Sequence, residues 1–178
     1  FFFITDVGQE FSYLARYEIN TGLQEILFQT DWDVMYSYLS ENEKYRVIAI
    51  NQDGMNKLFV KDLLNDKDVY FPDIPDGDIK GVTFSESESK IRLTIGTSKS
   101  PNNLYVYNLI SKDLKKLTET LNSGMNADDL VAAQVIRYPS YDGLQIPAIY
   151  YKPLVATKKK KVPALVWVHG GPGGQSRT

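Results

Sequence analysis

The first 120 residues of the chain repeat at an interval of about 45, which few folds have any reason to do. Phe1-Phe2-Phe3-Ile4-Thr5, Arg46-Val47-Ile48-Ala49-Ile50 and Ile91-Arg92-Leu93-Thr94-Ile95 are β-rich runs that begin 45 residues apart. A second run follows each: Leu14 to Ile19, Leu58 to Leu63 and Leu104 to Leu109, at spacings of 44 and 46. Turns rich in Asn, Gly, Asp, Ser and Lys lead to a third: Gln24 to Gln29, Asp68 to Asp73 and Leu114 to Glu119. One more strand precedes the second and third units, and its turn Ser40-Glu41-Asn42-Glu43-Lys44 matches Ser85-Glu86-Ser87-Glu88-Ser89 at an offset of 45. Four strands per repeat is therefore the count. Short strands and turns recurring every ~40 to 50 residues are the signature of propeller blades, each a small twisted sheet that buries its faces on its neighbours. A β-sandwich also has many short strands, but nothing makes it repeat at this interval. The expected fold class is mainly β, with a partial propeller of two full blades and most of a third. That is fewer than the ~4 to 8 that close a ring, so further blades are expected upstream.

The balance of side chains excludes several functions. Lys and Arg number 20 against 22 for Asp and Glu, a net charge of -2, which makes no field to gather nucleic acid or an anionic membrane. The longest apolar stretch, Val162 to Val168, contains a proline and is far short of the ~20 residues that span a bilayer. The segment is expected to be soluble, with no nucleic-acid or membrane partner. Its opening lacks a basic n-region and a cleavage site, so it reads as neither a signal peptide nor a natural start. A cytoplasmic location is favoured over a periplasmic one, with the compartment itself left open. Cysteine is absent, which removes disulfides, a thiolate nucleophile and sulfur ligands for a metal. His169 is the single histidine, and imidazole is the usual base for a serine nucleophile. No cofactor and no metal site are expected.

Beyond Leu121 the pattern changes. Asn122-Ser123-Gly124-Met125 reads as a linker, and Asn126 can cap one or two helical turns through Leu130 to Ala133, with Asp128 and Asp129 where the helix dipole favours them. Gln134 to Pro139, the turn Ser140-Tyr141-Asp142-Gly143 and Gln145 to Tyr151 predict a β-hairpin. After the charged loop Lys158 to Lys161, Val162-Pro163-Ala164-Leu165-Val166-Trp167-Val168 is apolar at consecutive positions, as in a strand buried on both faces of a parallel sheet. His169-Gly170-Gly171-Pro172-Gly173-Gly174-Gln175 follows directly. A glycine-rich loop after such a strand lets backbone amides approach a substrate carbonyl with no Cβ in the way, as an oxyanion hole requires.

Blades, a short helix, a Tyr-Asp-Gly turn, Ile-Pro and Lys-Pro, a buried strand and His-Gly-Gly-Pro-Gly-Gly-Gln together resemble the prolyl oligopeptidase family of serine peptidases. The likeness is greatest to its acylaminoacyl-peptidase and dipeptidyl-aminopeptidase branches, loose over the blades and tight from Tyr138 to Gln175. It implies a propeller at 1–121, a linker with a short helix at 122–137, and the first strands and oxyanion loop of an α/β-hydrolase domain at 138–178. His169, Gly170 and Gly171 would then form the oxyanion loop, with the Gly171 amide the favoured donor. Some relatives carry a tyrosine at the position of His169. The family's Gly-x-Ser-x-Gly elbow, acid and histidine come later in the chain, in the order Ser, Asp, His. No Gly-x-Ser-x-Gly occurs here, so the chain by itself is expected to be inactive; the resemblance implies a parent that acts on short peptides.

Plainer readings stand beside these. His169 also reads as the close of a strand end, and the glycines as a turn without a ligand. Asp73, Asp76 and Asp78 around Pro75 and Gly77 do not match a calcium loop and read as a solvated turn between blades. Lys158 to Lys161 read as a solvated loop, and Tyr36, Tyr38, Tyr70, Tyr105 and Tyr107 as blade packing, some of them able to line a substrate route. A carboxylesterase, or a propeller interaction module without a triad, are the competing functions. Open blade edges call for the remainder of the protein or another copy as a partner.

Overall fold

A computed structural model describes residues 1–72, 77–171 and 173–177. Its strands fall into three antiparallel meanders and a separate hairpin. Sheet I holds β1 (Phe2–Thr5), β2 (Tyr13–Tyr17) and β3 (Gln24–Phe28). Sheet II runs β4 (Val34–Leu39), β5 (Tyr45–Gln52), β6 (Met55–Asp62) and β7 (Lys67–Asp68). Sheet III repeats that order with β8 (Asp78–Phe84), β9 (Lys90–Thr97), β10 (Ser100–Asn108) and β11 (Leu114–Lys116). The three predicted families of runs thus fall on β1, β5 and β9, on β2, β6 and β10, and on β3, β7 and β11. The extra strand of each unit is β4 or β8, so the repeat of four is realised in sheets II and III.

Turn backbones repeat as faithfully as strands. Glu43 and Glu88, 45 residues apart, both take left-handed φ, 56° and 50°. In both turns a serine closes the corner: Ser40 Oγ accepts the Tyr45 amide at 2.9 Å and Ser85 Oγ accepts the Lys90 amide at 3.2 Å. Gly22, Asp66 and Lys112 form a second such series, with φ of 71°, 51° and 65°. Asp62 and Asn108 hold the turns before Asp66 and Lys112, each through one side-chain oxygen that accepts two backbone amides.

Burial follows the position of each sheet. Sheet II is covered on both sides, and β5 is correspondingly apolar at consecutive positions. Its Val47 packs with Val60 against Ile79, Ile91, Leu93, Ile95 and Tyr107 of sheet III. Ile48 and Ile50 point the other way, onto Leu14 of sheet I and Val34. Strand β9 alternates instead, with Ile91, Leu93 and Ile95 buried against sheet II and Lys90 and Arg92 in water. Period-two alternation with one covered face is the ordinary pattern of an antiparallel sheet half in solvent. No element among the described residues covers the far face of sheet III or of sheet I, and Phe2, Ile4, Ile26 and Leu27 of sheet I remain exposed.

Polar clamps set the sheet-to-sheet spacing. The Tyr38 hydroxyl donates to the Val82 carbonyl at 2.9 Å, and the Asn42 amide to Glu88 Oε1 at 2.8 Å. Asp33 accepts the Ser12 amide at 2.9 Å, and Asp78, 45 residues on, accepts the Asn56 amide at the same distance.

Four expectations change. The run Asp68 to Asp73 shortens to the two-residue β7, its far end Asp73 lying outside the described residues, and Leu114 to Glu119 shortens to β11. An outermost strand gains hydrogen bonds on one side only, so its ladder ends early. Asp78 is not in a solvated turn: it opens β8 at 1% exposure, while Asp73, Pro75 and Asp76 lie outside the described residues. The capped helix is one 3₁₀ turn, Ala127–Asp129, with the Asn126 side chain accepting the Asp128 amide at 3.0 Å. Finally, Val162 to Val168 form no strand. They join no ladder, and Leu165, Val166, Trp167 and Val168 are 81 to 88% exposed. A strand of a parallel sheet takes its conformation from flanking strands, and none among the described residues lies beside this one.

The hairpin is as predicted: β12 (Gln134–Pro139) pairs β13 (Gln145–Tyr150), with Gly143 at φ 87°. Lys158 to Lys161 are exposed. Tyr36, Tyr38 and Tyr105 pack on the core and Tyr107 is fully buried, whereas Tyr70 is largely in solvent and contributes its carbonyl to the Tyr107 hydroxyl at 2.8 Å. Among the described residues no helix is long and apolar enough to cross a membrane.

Candidate functional site

An antiparallel meander sends alternate turns to opposite ends of a blade. The β4–β5 and β6–β7 turns therefore share one end of sheet II, and the β5–β6 turn lies at the other. At that second end the segment after the three sheets arrives: the Ala133 amide donates to Ser98 Oγ, in the β9–β10 turn, at 2.9 Å. Arg137 of β12 pairs with Asp53, in the β5–β6 turn.

The predicted loop residues His169, Gly170 and Gly171 lie together on this side as an exposed corner. Gly171 has φ 75°, the left-handed conformation that a side chain disfavours. A Cβ placed on Gly170 or Gly171 would meet nothing within 4 Å, so these two positions are open to an approaching ligand. Gly174 differs: a Cβ there would stand 2.5 Å from the Gly170 carbonyl oxygen and 3.3 Å from His169 Nδ1. The chain doubles back, and only glycine fits the point of contact. His169 Nδ1 lies 3.4 Å from the carbonyl oxygen of the next residue, and the ring is otherwise in solvent. Among the described residues it has neither an acid that would orient it nor a serine within hydrogen-bond reach, so what the corner presents is backbone. Among the described residues, the amides of Gly170 and Gly171 donate no hydrogen bond and remain available to an acceptor.

Beyond the corner the chain returns to sheet II. Asn51 Nδ2 donates to Gln175 Oε1 at 2.7 Å, and Arg177 Nη2 donates to Asn56 Oδ1 at 2.7 Å. Gln175 ends the glycine-rich motif read from the sequence, whereas Asn51, Asn56 and Arg177 are not part of any motif read there. One signal was available: Asp53-Gly54 between two β-rich runs is the strongest short hairpin motif. Both residues have positive φ, 54° and 81°, as a type I′ turn requires.

No protein-family model matches the chain, and no curated protein matches it in sequence. Among solved structures it is similar to one from work on two prolyl endopeptidases and the role of inter-domain dynamics in their catalysis and specificity. The TM-score is 0.62 at 13% sequence identity, over 82% of this chain. The match takes in 22% of that structure, so the chain spans about a fifth of its length. At this identity the likeness is one of fold.

Proposed function

We propose that this chain is a non-catalytic segment of a serine peptidase of the prolyl oligopeptidase type, contributing propeller blades and the oxyanion loop. The observation that carries this reading is the order of parts. Meandering blades lead to a hairpin tied to their turn end, and then to a glycine corner with unused amides, within a fold shared with a prolyl endopeptidase structure. In the parent, a serine outside this chain attacks the scissile carbonyl and a second histidine takes and returns its proton. Negative charge then develops on the carbonyl oxygen, and amides of the Gly170-Gly171 corner are suited to hold it. One such donor is worth about 3 to 4 kcal/mol to the transition state. The blades cap the site and admit short peptides. Removing the triad while keeping the corner leaves binding groups without a nucleophile, so the 178-residue chain hydrolyses neither peptides nor esters. The test is labelling of the full-length parent by a fluorophosphonate, followed by amide and ester turnover. A labelled serine with faster amide turnover supports a peptidase, and faster ester turnover moves the reading to a carboxylesterase. An unlabelled parent sinks the enzymatic reading and leaves an interaction module.

A further inference from the structure

We infer that the β5–β6 turn of sheet II is a built dock for residues 175–177, a carboxamide-and-guanidinium receptor that fixes the chain just beyond the glycine corner. Four observations converge on it. The first is the acceptor set. Arg177 Nη2 donates to Asn56 Oδ1 at 2.7 Å and lies 3.9 Å from Asp78 Oδ1, a carboxylate whose side chain is 2% exposed. Asp78 is already held in place by the Asn56 amide at 2.9 Å, with Lys80 Nζ 3.6 Å from its other oxygen. A guanidinium therefore meets acceptors oriented before it arrives, so little ordering is left for binding to supply.

The second is the platform. Asn51 and Asn56 face each other across β5 and β6, next to the Gln52 and Met55 pair that closes the two-residue turn. They contribute a donor to Gln175 and an acceptor to Arg177, so both side chains of the docked segment are met by one cross-strand pair. The third is steric. A Cβ on Gly54 would stand 3.1 Å from the Ser176 carbonyl oxygen and 3.5 Å from the Arg177 Cα, so the docked backbone lies directly on the glycine. The fourth is selectivity within the repeat. In sheet III the corresponding turn is Ser98-Lys99, without a left-handed residue, an amide pair or a carboxylate, and it receives only the Ala133 amide. For the turn of sheet I the corresponding carboxylate is Asp33, just before β4, and it is taken by both the amide and the hydroxyl of Ser12. Among the described residues the full set, an Asp-Gly turn with its amide pair beside a carboxylate of the next sheet, occurs at the β5–β6 turn alone.

The dock rests on these contacts and not on the peptidase reading. Its test is ¹⁵N relaxation of the full chain, with order parameters at residues 173–177 as the readout. In the native sequence these amides are expected near the ~0.85 of rigid backbone, and Arg177→Ala should take them below ~0.6 while the amides of β5 and β9 stay unchanged. Arg16→Ala, which breaks the exposed pair to Glu25 on sheet I, serves as the charge control and should leave the segment ordered. A segment already mobile in the native sequence, one still rigid in Arg177→Ala, or one loosened equally by Arg16→Ala overturns the dock. None of these outcomes depends on whether the parent has a reactive serine.

Discussion

Glu88 shows how one residue can serve both a turn and an interface. It closes the β8–β9 turn at left-handed φ, and its carboxylate crosses to the Asn42 amide in the equivalent turn of sheet II. Burial, the largest single influence, raises its pKa. The Asn42 amide, the Ser40 hydroxyl, the Asn42 side chain and the Lys44 charge together outweigh that and hold it below the usual 4.5. A carboxyl depressed on folding stabilises the protein above its unfolded pKa, and the contribution is lost as pH falls through the folded value. Glu88→Gln keeps the shape and an acceptor but not the charge. Its deficit in thermal stability should be full above about pH 5, where an unfolded glutamate is ionised, and should shrink below about pH 4 as the native carboxylate becomes neutral too. Melting curves across that range decide it, and a deficit that does not change with pH would count against the charged clamp. The same residue marks a limit of sequence reading. The offset of 45 between the two Ser-Glu turns was visible, but the hydrogen bond joining them runs between neighbouring sheets. Periodicity says that two turns are alike without saying that they touch.

Among the elements, legibility tracked how much of a strand's environment lies close by in sequence. Strands β5, β6, β9 and β10 are paired on both edges within their own meander, and each overlaps its predicted run, β5 and β9 closely and β6 and β10 with starts three and four residues earlier than Leu58 and Leu104. The hairpin β12–β13 was equally legible, because its partner follows after a single turn. Among the outer strands, β1 and β3 match their runs within one residue, whereas β7 and β11 fall short, the pattern Leu114 to Glu119 continuing after the ladder has ended. Val162 to Val168 was misjudged for a related reason: consecutive apolar residues report a demand for cover on both faces, and cover is a property of neighbours. Within the three sheets that same demand is met at β5 and half met at β9. Truncation at a covered face should therefore cost far more than at an open one. Leu93→Ala, at 0% exposure between sheets II and III, is expected to cost about 2 to 5 kcal/mol. Leu104→Ala, at 36% exposure on the paired strand β10, should cost well under half as much. Chemical denaturation of the two variants measures the ratio, and equal losses would mean that sheet III is not organised around its contact with sheet II.

At the scale of the whole molecule, three like sheets are not equally secured, because the stability of stacked repeats is a sum over each unit and its interfaces. Sheet II has two interfaces, lined by Val47 and Val60 on one side and Ile48 and Ile50 on the other, and among the described residues sheets I and III have one each. The interface with sheet III is the larger, with nine buried residues against four for that with sheet I. Sheet I is further weakened by β1, whose Phe2 and Ile4 are exposed on a strand paired along one edge only. Local opening costs most where apolar contacts and paired edges are most numerous, so amide exchange should grade across the repeat. The slowest amides are expected in β5 and β9, intermediate rates in β2, and the fastest among the strands in β1 and in the hairpin β12–β13, which among the described residues has no partner sheet. Residues 162–168, lacking a ladder, should exchange at close to the rate of an unfolded peptide. Mass-resolved exchange over seconds to hours separates these classes. Uniform protection across the three sheets would contradict a stability built up interface by interface. Strong protection of 162–168 would show that this run has found strand partners, a second copy of the chain being the first to test by repeating the measurement at lower concentration.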